Sequence, residues 1–435
     1  MRMSDELLTI DDMDVDGWRV LLRADLNVPL TPVPAGVPVG VADDTRIRAA
    51  LPTIEELCRR GARLVLVSHL GRPDGPDPAW SMQPVANRLG RLTGAPVRLA
   101  PGVIGTEVRE LTRCLQPGQT LMLENVRFEA GETRNDPRLA GALAELADVY
   151  VDDAFASAHQ GHASTSGVAH LLPSAAGRLM AREVNALRAV VDDPARRLVA
   201  VLGGARLGEK VGVVRRFLEL ADVVCIGGGM CFPFLAALGH NVGQSLCSRE
   251  DVGRARTALD AAAGSTDRLV LPYDLQLVRW GSDDGAVRDS LDGVDVPNGR
   301  MGLDIGARTA ERYAEAVLTA ATVFWNGPMG RFELPQFAGG TRVVAQAVAS
   351  TSATTVVGGG ETVEAVRQFG LEESVSHVST GGQAMLEFLE GRELPGVEVL
   401  RRKARDRVQR ADGPGPDPNG PAGPRTLTPG PSGRS

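Results

Sequence analysis

Residues 198–205 read LVAVLGGA, an apolar run that ends at a pair of glycines. Four further apolar runs in the second half of the chain end at glycines in the same way, within 223–229, 322–330, 354–360 and 377–382. Continuous Val, Ile and Leu runs that alternate with helix-length segments are typical of a parallel sheet buried on both faces. Ligands bind such sheets beyond the carboxyl ends of the strands, where glycine lets backbone N–H groups approach a phosphate. Five such turns at one edge indicate a ligand that carries phosphate, and a nucleotide above all.

The length and composition of the chain exclude several classes of protein. With 435 residues it is too long for one ordinary hydrophobic core, so we expect two domains. The formal net charge of −7 provides no basic face for a nucleic acid. No apolar stretch reaches the length of a membrane span and the first residues lack the apolar core of a signal peptide, so we expect a cytoplasmic protein. Five cysteines without close pairing argue against a disulfide framework or a zinc site.

The first half of the chain also alternates strand with helix. Strands are predicted at 19–23, 63–67, 121–123 and 149–151, and helices at 49–60 and 139–146. Around 173–177 the strand pattern pauses, and a connecting helix is predicted at roughly 179–191. We therefore expect a first domain over 1–175, a connection over 176–195 and a second domain over 196–389. In 411–435, thirteen of 25 residues are Pro or Gly, so this tail is predicted to be disordered.

Polar side chains follow the predicted strands of the first half, or open the helix after the first strand. They are Asp25, Asn27, Arg46, His69, Arg72 and Arg127. A single arginine would be explained by a surface ion pair. Several Arg and His side chains brought to one sheet edge instead predict a clamp for a phosphate or a carboxylate. Nearby, His159 and His162 lack a third Cys or His for a metal, so neutral histidines beside an anion are the preferred interpretation.

Over nearly its whole length, from about residue 7 to 400, the chain resembles the phosphoglycerate kinase family in these motifs and in their order. The resemblance implies an α/β fold with two doubly wound, Rossmann-like parallel-sheet domains that face a cleft and are joined by a helix. The first domain would hold 3-phosphoglycerate and the second MgATP, while 390–410 would return to the first domain. The protein would be a monomer that acts on small molecules and closes about a hinge.

The resemblance also implies a role for each matching residue. The acid would be bound by Asp25, Asn27, Arg46, His69, Arg72, Arg127 and Gln160. The nucleotide would be bound by Arg206, Lys210, Asn326, Glu333, Gly359, Gly360, Glu361 and Thr362, with Glu361 beside Mg²⁺. Transfer of the γ-phosphoryl group would depend on Arg46, Arg206, Gly381 and Gly382. Because a carboxylate acceptor is already ionised at neutral pH, this reaction needs no general base; positioning and charge neutralisation suffice.

The chain departs from the family pattern at four positions around this path. Gln160 replaces an arginine, Arg206 replaces a lysine, and Glu361 replaces an aspartate. Gln383 replaces a glycine, and a positive φ, if required there, would cost about 1 kcal/mol or more. Three hypotheses therefore stay open: a kinase for 3-phosphoglycerate, a related kinase for another carboxylate, and a nucleotide-binding pseudoenzyme that acts through partners.

Overall fold

The computed structural model describes residues 6–31, 40–262, 268–279, 281 and 288–412. The first half of the described chain forms a parallel six-stranded sheet. Its strands are β1 (Arg19–Ala24), β2 (Arg63–Val67), β3 (Val97–Leu99), β4 (Thr120–Met122), β5 (Val149–Asp153) and β6 (Ser174–Ala176). They pair in the order β3-β4-β2-β1-β5-β6. The helices between them are α1 (Thr45–Arg59), α2 (Gln83–Thr93), α3 (Thr106–Cys114), α4 (Pro137–Ala144) and α5 (Val168–Leu171).

A second parallel six-stranded sheet is built from the second half. Its strands are β7 (Leu198–Leu202), β8 (Val223–Ile226), β9 (Leu269–Val270), β13 (Thr322–Asn326), β14 (Thr354–Gly358) and β15 (His377–Val378), in the order β15-β14-β13-β7-β8-β9. The accompanying helices are α7 (Val211–Leu220), α8 (Cys231–Ala237), α9 (Arg249–Ala262), α10 (Ala307–Leu318), α11 (Gly339–Ser350), α12 (Gly360–Gln368) and α13 (Gln383–Leu389). All five glycine-terminated strands predicted from the sequence are confirmed.

Both sheets are covered on both faces, which explains their continuous apolar runs. In β7, Leu198, Ala200 and Leu202 pack into one hydrophobic cluster, whereas Val199 and Val201 pack into another on the opposite face. All five side chains are fully buried. Successive side chains of a strand point to opposite faces, so an apolar residue is needed at every position. The predicted doubly wound α/β class is therefore confirmed.

The helix α6 (Arg178–Val191) joins the two sheets. It contacts β5 and β6 of the first sheet and β13 and β14 of the second. The last described helix, α14 (Pro395–Asp412), packs against β6 and α5 and so lies beside the first sheet. The predicted domain boundaries flank α6 and stay a prediction. The predicted tail from residue 413 on lies outside the described residues, while Ala411 and Asp412 still belong to α14.

Two parts of the fold differ from the expectation. The strand pattern was expected to pause at 173–177, yet Ser174–Ala176 forms the edge strand β6 beside β5. Its Ser-Ala-Ala sequence has little β propensity and is held in place by its neighbours. An unpredicted antiparallel sheet also lies in the second half, in the order β11-β10-β12, from β10 (Leu275–Arg279), β11 (Asp289–Leu291) and β12 (Arg300–Ile305). None of the described helices is both long and apolar enough to span a bilayer.

Candidate active site

The polar residues predicted at the first sheet edge do meet there. The Arg46 guanidinium forms an ion pair with Asp25, whose carboxylate also accepts from the Asn27 N–H at 3.2 Å. Burial alone would raise the pKa of Asp25, but the positive charges nearby, Arg46 first, outweigh burial and lower it. Asp25 is therefore a buried anion that fixes Arg46 at the carboxyl end of β1.

Arg23 lies in β1, two residues before Asp25, and determines the tautomer and the charge of His69. Arg23 is 1% exposed, and its Nη2 lies 3.0 Å from Nδ1 of His69, which is 6% exposed. A guanidinium can only donate, so Nδ1 must accept and the imidazole proton must lie on Nε2. Burial, reinforced by the charge of Arg23, lowers the pKa of His69 to about 3. His69 is thus a neutral donor through Nε2–H at neutral pH.

Arg23 is itself hydrogen-bonded to Ser164, which in turn donates to Glu132. The Nε–H of Arg23 donates to Ser164 Oγ at 3.0 Å, and that hydroxyl donates to Glu132 Oε1 at 2.6 Å. Glu132 also accepts from the Ser164 backbone N–H at 2.9 Å. Burial raises the pKa of Glu132. The three groups form a buried network beneath the sheet edge, and its polar atoms satisfy one another.

A tight turn joins three of the predicted acid-site residues. The Gly71 N–H donates to Asn27 Oδ1 at 2.9 Å, and the Gly71 carbonyl accepts from the Arg127 guanidinium. Gly71 has a φ of +60°, which favours glycine. Arg72 follows directly. The position of one glycine therefore links the side chains on three strand ends.

Beyond this turn lies an open pocket of about 440 Å³. Arg72, Arg127, Gln160 and His162 line it. Burial first, and then the charges of Arg23 and Arg127, lower the pKa of His162 to about 4, so it is neutral. The Gln160 amide nitrogen lies 3.2 Å from His159 Nε2. Two arginines with an amide and a neutral imidazole suit an anion such as a phosphate.

The second sheet presents mainly backbone at its corresponding edge. A Cβ on Gly228, whose φ is +63°, would lie 2.7 Å from Gly204 N, Gly204 O and Pro328 O. A Cβ on Gly327, with a φ of +102°, would overlap Gly203 O. These turns therefore pack backbone against backbone, and a side chain at either glycine would separate them.

Lys210 lies at the centre of these turns. Its ammonium donates to the Gly203 carbonyl at 2.8 Å and to the Asn326 carbonyl at 3.3 Å. Burial lowers the pKa of Lys210 to about 8, although Glu361 and Glu209 oppose the shift. At neutral pH this ammonium is charged and fixed by carbonyls, as a phosphate-binding lysine requires.

Asn326 and Thr362 use their side chains within the protein. The Asn326 amide donates to the Gly358 carbonyl at 2.8 Å, and Thr362 Oγ accepts from the Gly327 N–H at 2.6 Å. They hold the turns after β13 and β14 together. Gly359, with a φ of +90°, stands against the Asn326 amide. Both residues also line a pocket at this edge of the sheet.

Two adjoining pockets share this edge. One, of about 340 Å³, is lined by Lys210, Gly359, Gly360, Glu361 and Gly382 among others. The other, of about 320 Å³, has apolar walls that include Phe232, Leu275 and Met301, with Glu333 also lining it. Gly204, Ala205 and Glu361 line both. A polar end continuous with an apolar end matches the phosphates and the base of a nucleotide.

Gln383 does not require a positive φ, so the cost considered for that case does not arise. The positive φ falls on Gly382, at +54°, and Gln383 is the first residue of α13. Its amide donates to Glu387 Oε1 at 3.1 Å along the exposed face of that helix. Arg206 is 77% exposed in side chain and lies 3.8 Å from Glu209. Both substitutions therefore fit without distortion of the backbone.

The turn before α13 is where the two halves of the chain meet. Glu183 of α6 accepts from the Thr380 N–H at 2.7 Å and lies 2.9 Å from His377 Nε2. Burial would raise the pKa of Glu183, but its hydrogen bonds and the charge of His377 lower it overall. On the other side, a Cβ on Gly381 would lie 2.5 Å from Phe155 of the first half. Gly381 is thus fixed between both domains.

Arg23, Glu132, Ser164 and Glu183 are functional candidates that the sequence does not reveal. Arg23 ends an apolar strand, and a lone arginine there resembles an ordinary ion-pair partner. Its only signal is its place two residues before Asp25. Among the described residues, no three His, Cys, Asp or Glu side chains form a group that could hold a metal alone.

These features define a two-domain α/β protein with an anion clamp on one sheet and a nucleotide-type pocket on the other. The chain belongs to the phosphoglycerate kinase family, whose model, described as "Phosphoglycerate kinase", matches residues 10–392. It is 51% identical over 393 residues to the phosphoglycerate kinase of Rubrobacter xylanophilus, covering 90% of this chain and 97% of that protein. It is 48% identical to the phosphoglycerate kinase of Salinispora tropica, with coverages of 90% and 98%.

Solved structures agree with this assignment. The phosphoglycerate kinase structure from Coxiella burnetii superposes with a TM-score of 0.83 at 36% identity, covering 92% of this chain and all of that one. The phosphoglycerate kinase structure from Pyrococcus horikoshii gives a TM-score of 0.78 at 30% identity, with the same coverages. The fold is therefore shared along almost the whole described chain.

Proposed function

We propose that this protein catalyses the reversible transfer of the γ-phosphoryl group of ATP to the carboxylate of 3-phosphoglycerate, giving 1,3-bisphosphoglycerate and ADP. One observation carries the proposal. A clamp of Arg46, His69, Arg72 and Arg127 stands at the edge of one sheet, each fixed by protein contacts or placed in the anion pocket. The glycine-lined phosphate pocket stands at the edge of the other sheet.

The acid is bound at the first sheet by groups with different tasks. Arg72 and Arg127 hold its phosphate in the 440 Å³ pocket, where Gln160 adds an amide donor. His69 donates from Nε2–H, and Asn27 and Asp25 orient the hydroxyl and carboxylate end. Arg46, fixed by Asp25, faces the transfer path and neutralises negative charge there. Neither His69 nor His162 removes a proton, because the acceptor is already a carboxylate.

The nucleotide is bound at the second sheet. Its base and ribose occupy the apolar pocket beside Phe232, with Glu333 at the ribose, and its phosphates face Lys210, Arg206 and the turn at Gly359 and Gly360. The N–H groups of Gly382 and of the first turn of α13 face the group in transfer, next to Gly381, whose own N–H donates to Ser379 Oγ. Transfer then rests on positioning and on charge neutralisation by Arg46, Arg206 and these amides.

A Mg²⁺ ion fits the nucleotide pocket. Glu361 lines the pocket beside Gly204 and Lys210, and magnesium is commonly held by one or two carboxylates together with substrate phosphates. The ion would supply further neutralisation of the phosphate charge. We further propose that the metal is Mg²⁺ and that the protein is a monomer in the cytoplasm.

A second candidate function is transfer to another carboxylate. Gln160 favours it, because the acid pocket has one arginine fewer than the family pattern. The amide of Gln160 also lies within hydrogen-bond distance of His159. A smaller or less charged acid would lose less from this change.

Trapping of acyl phosphates with hydroxylamine tests both candidates. The purified chain is incubated with MgATP, hydroxylamine and 3-phosphoglycerate, or with glycerate and other hydroxy acids in parallel. We expect hydroxamate from 3-phosphoglycerate at a saturable rate. Stronger signal from another acid would establish the second candidate. Silence with every acid, together with measurable MgADP binding, would exclude both and leave a nucleotide-binding pseudoenzyme.

A further inference from the structure

Trp80 lies against the turn that joins the acid-site residues. A Cβ on Gly71 would lie at most 2.7 Å from three carbons of the six-membered ring of Trp80. Only glycine permits this approach, so the ring rests directly on the Gly71 backbone. Trp80 remains 37% exposed, and its contact with Gly71 falls at the edge of the acid site.

The backbone that carries the ring is held by hydrogen bonds. The Trp80 carbonyl accepts from the Asn125 amide at 3.0 Å. The next two residues are bound to Glu124, whose carboxylate accepts from Ser81 Oγ and from the Met82 N–H, each at 2.7 Å. The backbone of Trp80 is thus anchored to Asn125 and Glu124, and its ring packs on Gly71 from a fixed point of attachment.

The same amide ties Trp80 to the clamp. Asn125 is fully buried; its Nδ2 also donates to the Leu70 carbonyl at 2.8 Å. Its Oδ1 accepts from the Leu70 N–H at 3.2 Å and from the Arg127 N–H at 3.1 Å. Gly71 thus lies between the Trp80 ring on one side and its own hydrogen bonds to Asn27 and Arg127 on the other.

We infer that Trp80 is a positioning residue of the acid site, which packs on the Gly71 turn and so sets Arg72 and Arg127, the two arginines of the phosphate pocket. The inference rests on the proposed function for its effect on 3-phosphoglycerate. The contact with the turn is independent of any ligand. A group that only positions the remote phosphate contributes equally before and during transfer, so its loss raises KM and leaves kcat unchanged.

The first test is amide hydrogen exchange of the ligand-free protein. Trp80→Ala is compared with wild type, with Trp80→Tyr, and with Trp18→Ala as a matched control, since Trp18 is also exposed, at 45%. We expect exchange at Gly71 to rise about tenfold in Trp80→Ala only, because its hydrogen bond to Asn27 opens more often. Unchanged exchange at Gly71, or a rise spread over the whole chain, overturns the inference.

The second test is kinetic. In Trp80→Ala we expect the KM for 3-phosphoglycerate to rise about tenfold, with kcat and the KM for MgATP unchanged, and Trp80→Tyr to restore most of the affinity. An unchanged KM overturns the positioning role. If wild type itself ignores 3-phosphoglycerate, the proposed function fails, while the exchange experiment still decides the role of Trp80.

A double-mutant cycle examines the contact itself. Gly71→Ala places a Cβ into the ring of Trp80, so its cost in exchange protection of the backbone N–H at position 71, which donates to Asn27, should be large in wild type. In the Trp80→Ala background the same substitution should cost several-fold less, because only the unfavourable φ remains. An equal loss of exchange protection in the two backgrounds would show that the Trp80 ring does not restrain the Gly71 turn.

Discussion

The two halves of the active site are formed by different parts of the protein, charged side chains in one and backbone turns in the other. The acid site on the first sheet is made of charged side chains that bind one another: Asp25 fixes Arg46, and Arg23 fixes His69. The nucleotide site on the second sheet is made of backbone, with Gly228 and Gly327 packed against neighbouring turns. Each substitution of a side chain in the acid site should therefore remove part of the affinity for the acid. Displacement of a single backbone turn should instead abolish the affinity for the nucleotide.

The largest effect is expected from Gly228→Ala. The new Cβ meets three backbone atoms at 2.7 Å, and the residue keeps a φ of +63°. We expect stability to fall by about 3 kcal/mol or more and MgADP binding to weaken about 100-fold or more. The matched control is Gly239→Ala, which also has a positive φ, +96°, but no atom within 4 Å.

Calorimetric titration with MgADP and with 3-phosphoglycerate measures both sites of these two variants. Gly239→Ala should lose about 1 kcal/mol of stability and no nucleotide affinity. Retention of 3-phosphoglycerate binding in Gly228→Ala would localise the damage to the backbone-built site. Wild-type MgADP affinity in Gly228→Ala would contradict the comparison.

The next effect is expected from Arg23→Met. The substitution removes the donor to His69 Nδ1 and leaves the buried Glu132 without the positive charge that Arg23 supplies through Ser164. We expect kcat/KM for 3-phosphoglycerate to fall about 100-fold and stability to fall by about 3 kcal/mol. The pKa of His69 should rise from about 3 toward its usual value, since the charge of Arg23 lowers it, although burial persists.

The control is Arg19→Met, at the other end of the same strand. Arg19 forms a partly exposed ion pair with Asp148, so its loss should cost about 1 kcal/mol at most. The pKa of His69, followed by NMR titration, separates a local effect from a folding defect. A folded Arg23→Met protein with an unchanged His69 pKa would refute the contact between Arg23 and His69, from which the tautomer is assigned.

A smaller change, and a gain, is expected from Gln160→Arg. An added guanidinium in the pocket of Arg72 and Arg127 should lower the KM for 3-phosphoglycerate about tenfold through a charge-assisted hydrogen bond. Gln160→Glu should raise it, and the KM for MgATP should stay the same in both. Steady-state kinetics measures this. An unchanged KM in both variants would place the phosphate elsewhere.

The pH dependence of nucleotide binding should change several-fold. The pKa of Lys210 is lowered to about 8 by burial, so the free protein loses this charge as the pH rises through 8. We expect MgADP affinity to fall about fivefold between pH 7 and 9, with proton uptake on binding above pH 8. Titration in two buffers of different ionisation enthalpy measures that uptake. Lys210→Arg should abolish both effects; the same fall in that variant would exclude Lys210 as the cause.

The smallest effects are expected at the two exposed substitutions. Gln383→Gly should change turnover less than about twofold and reduce stability by about 1 kcal/mol, because Gln383 already has a helical backbone. Any gain in turnover from the pair Arg206→Lys and Gln383→Gly should then come from Arg206→Lys alone. Gly382→Ala, at a φ of +54°, is the matched control and should be more harmful. A large gain from Gln383→Gly would contradict the structure.

The contrast between the two sites also explains what the sequence can predict. Strands that end at glycines, such as Leu198–Leu202, are local patterns, and they were found together with the edge they share. The edge strand Ser174–Ala176 depends on packing against β5, and its own residues carry no strand signal. The antiparallel sheet was missed because polar residues such as Gln276 and Asp304 interrupt its strands.

The candidate site divides in the same way. Asp25, Arg46, His69 and Arg127 follow strand ends or open a helix, so their place in the chain pointed to them. Arg23 acts through a contact with His69, 46 positions away in the sequence, and only the fold brings the two together. Likewise, the sequence leaves open whether Gln383 needs a positive φ. The structure has that φ at Gly382, because the start of a helix is set by backbone geometry that the sequence leaves open by one residue.

Formation of ATP from MgADP and 1,3-bisphosphoglycerate, generated in place, tests the central claim most directly. An acyl phosphate is a stronger phosphoryl donor than ATP, so this direction is favourable and is visible even for a slow enzyme. We predict ATP formation that saturates in both substrates and falls about 100-fold or more in Arg46→Ala, which removes charge neutralisation on the transfer path. No ATP above background from a folded wild-type protein that binds both substrates would contradict the account.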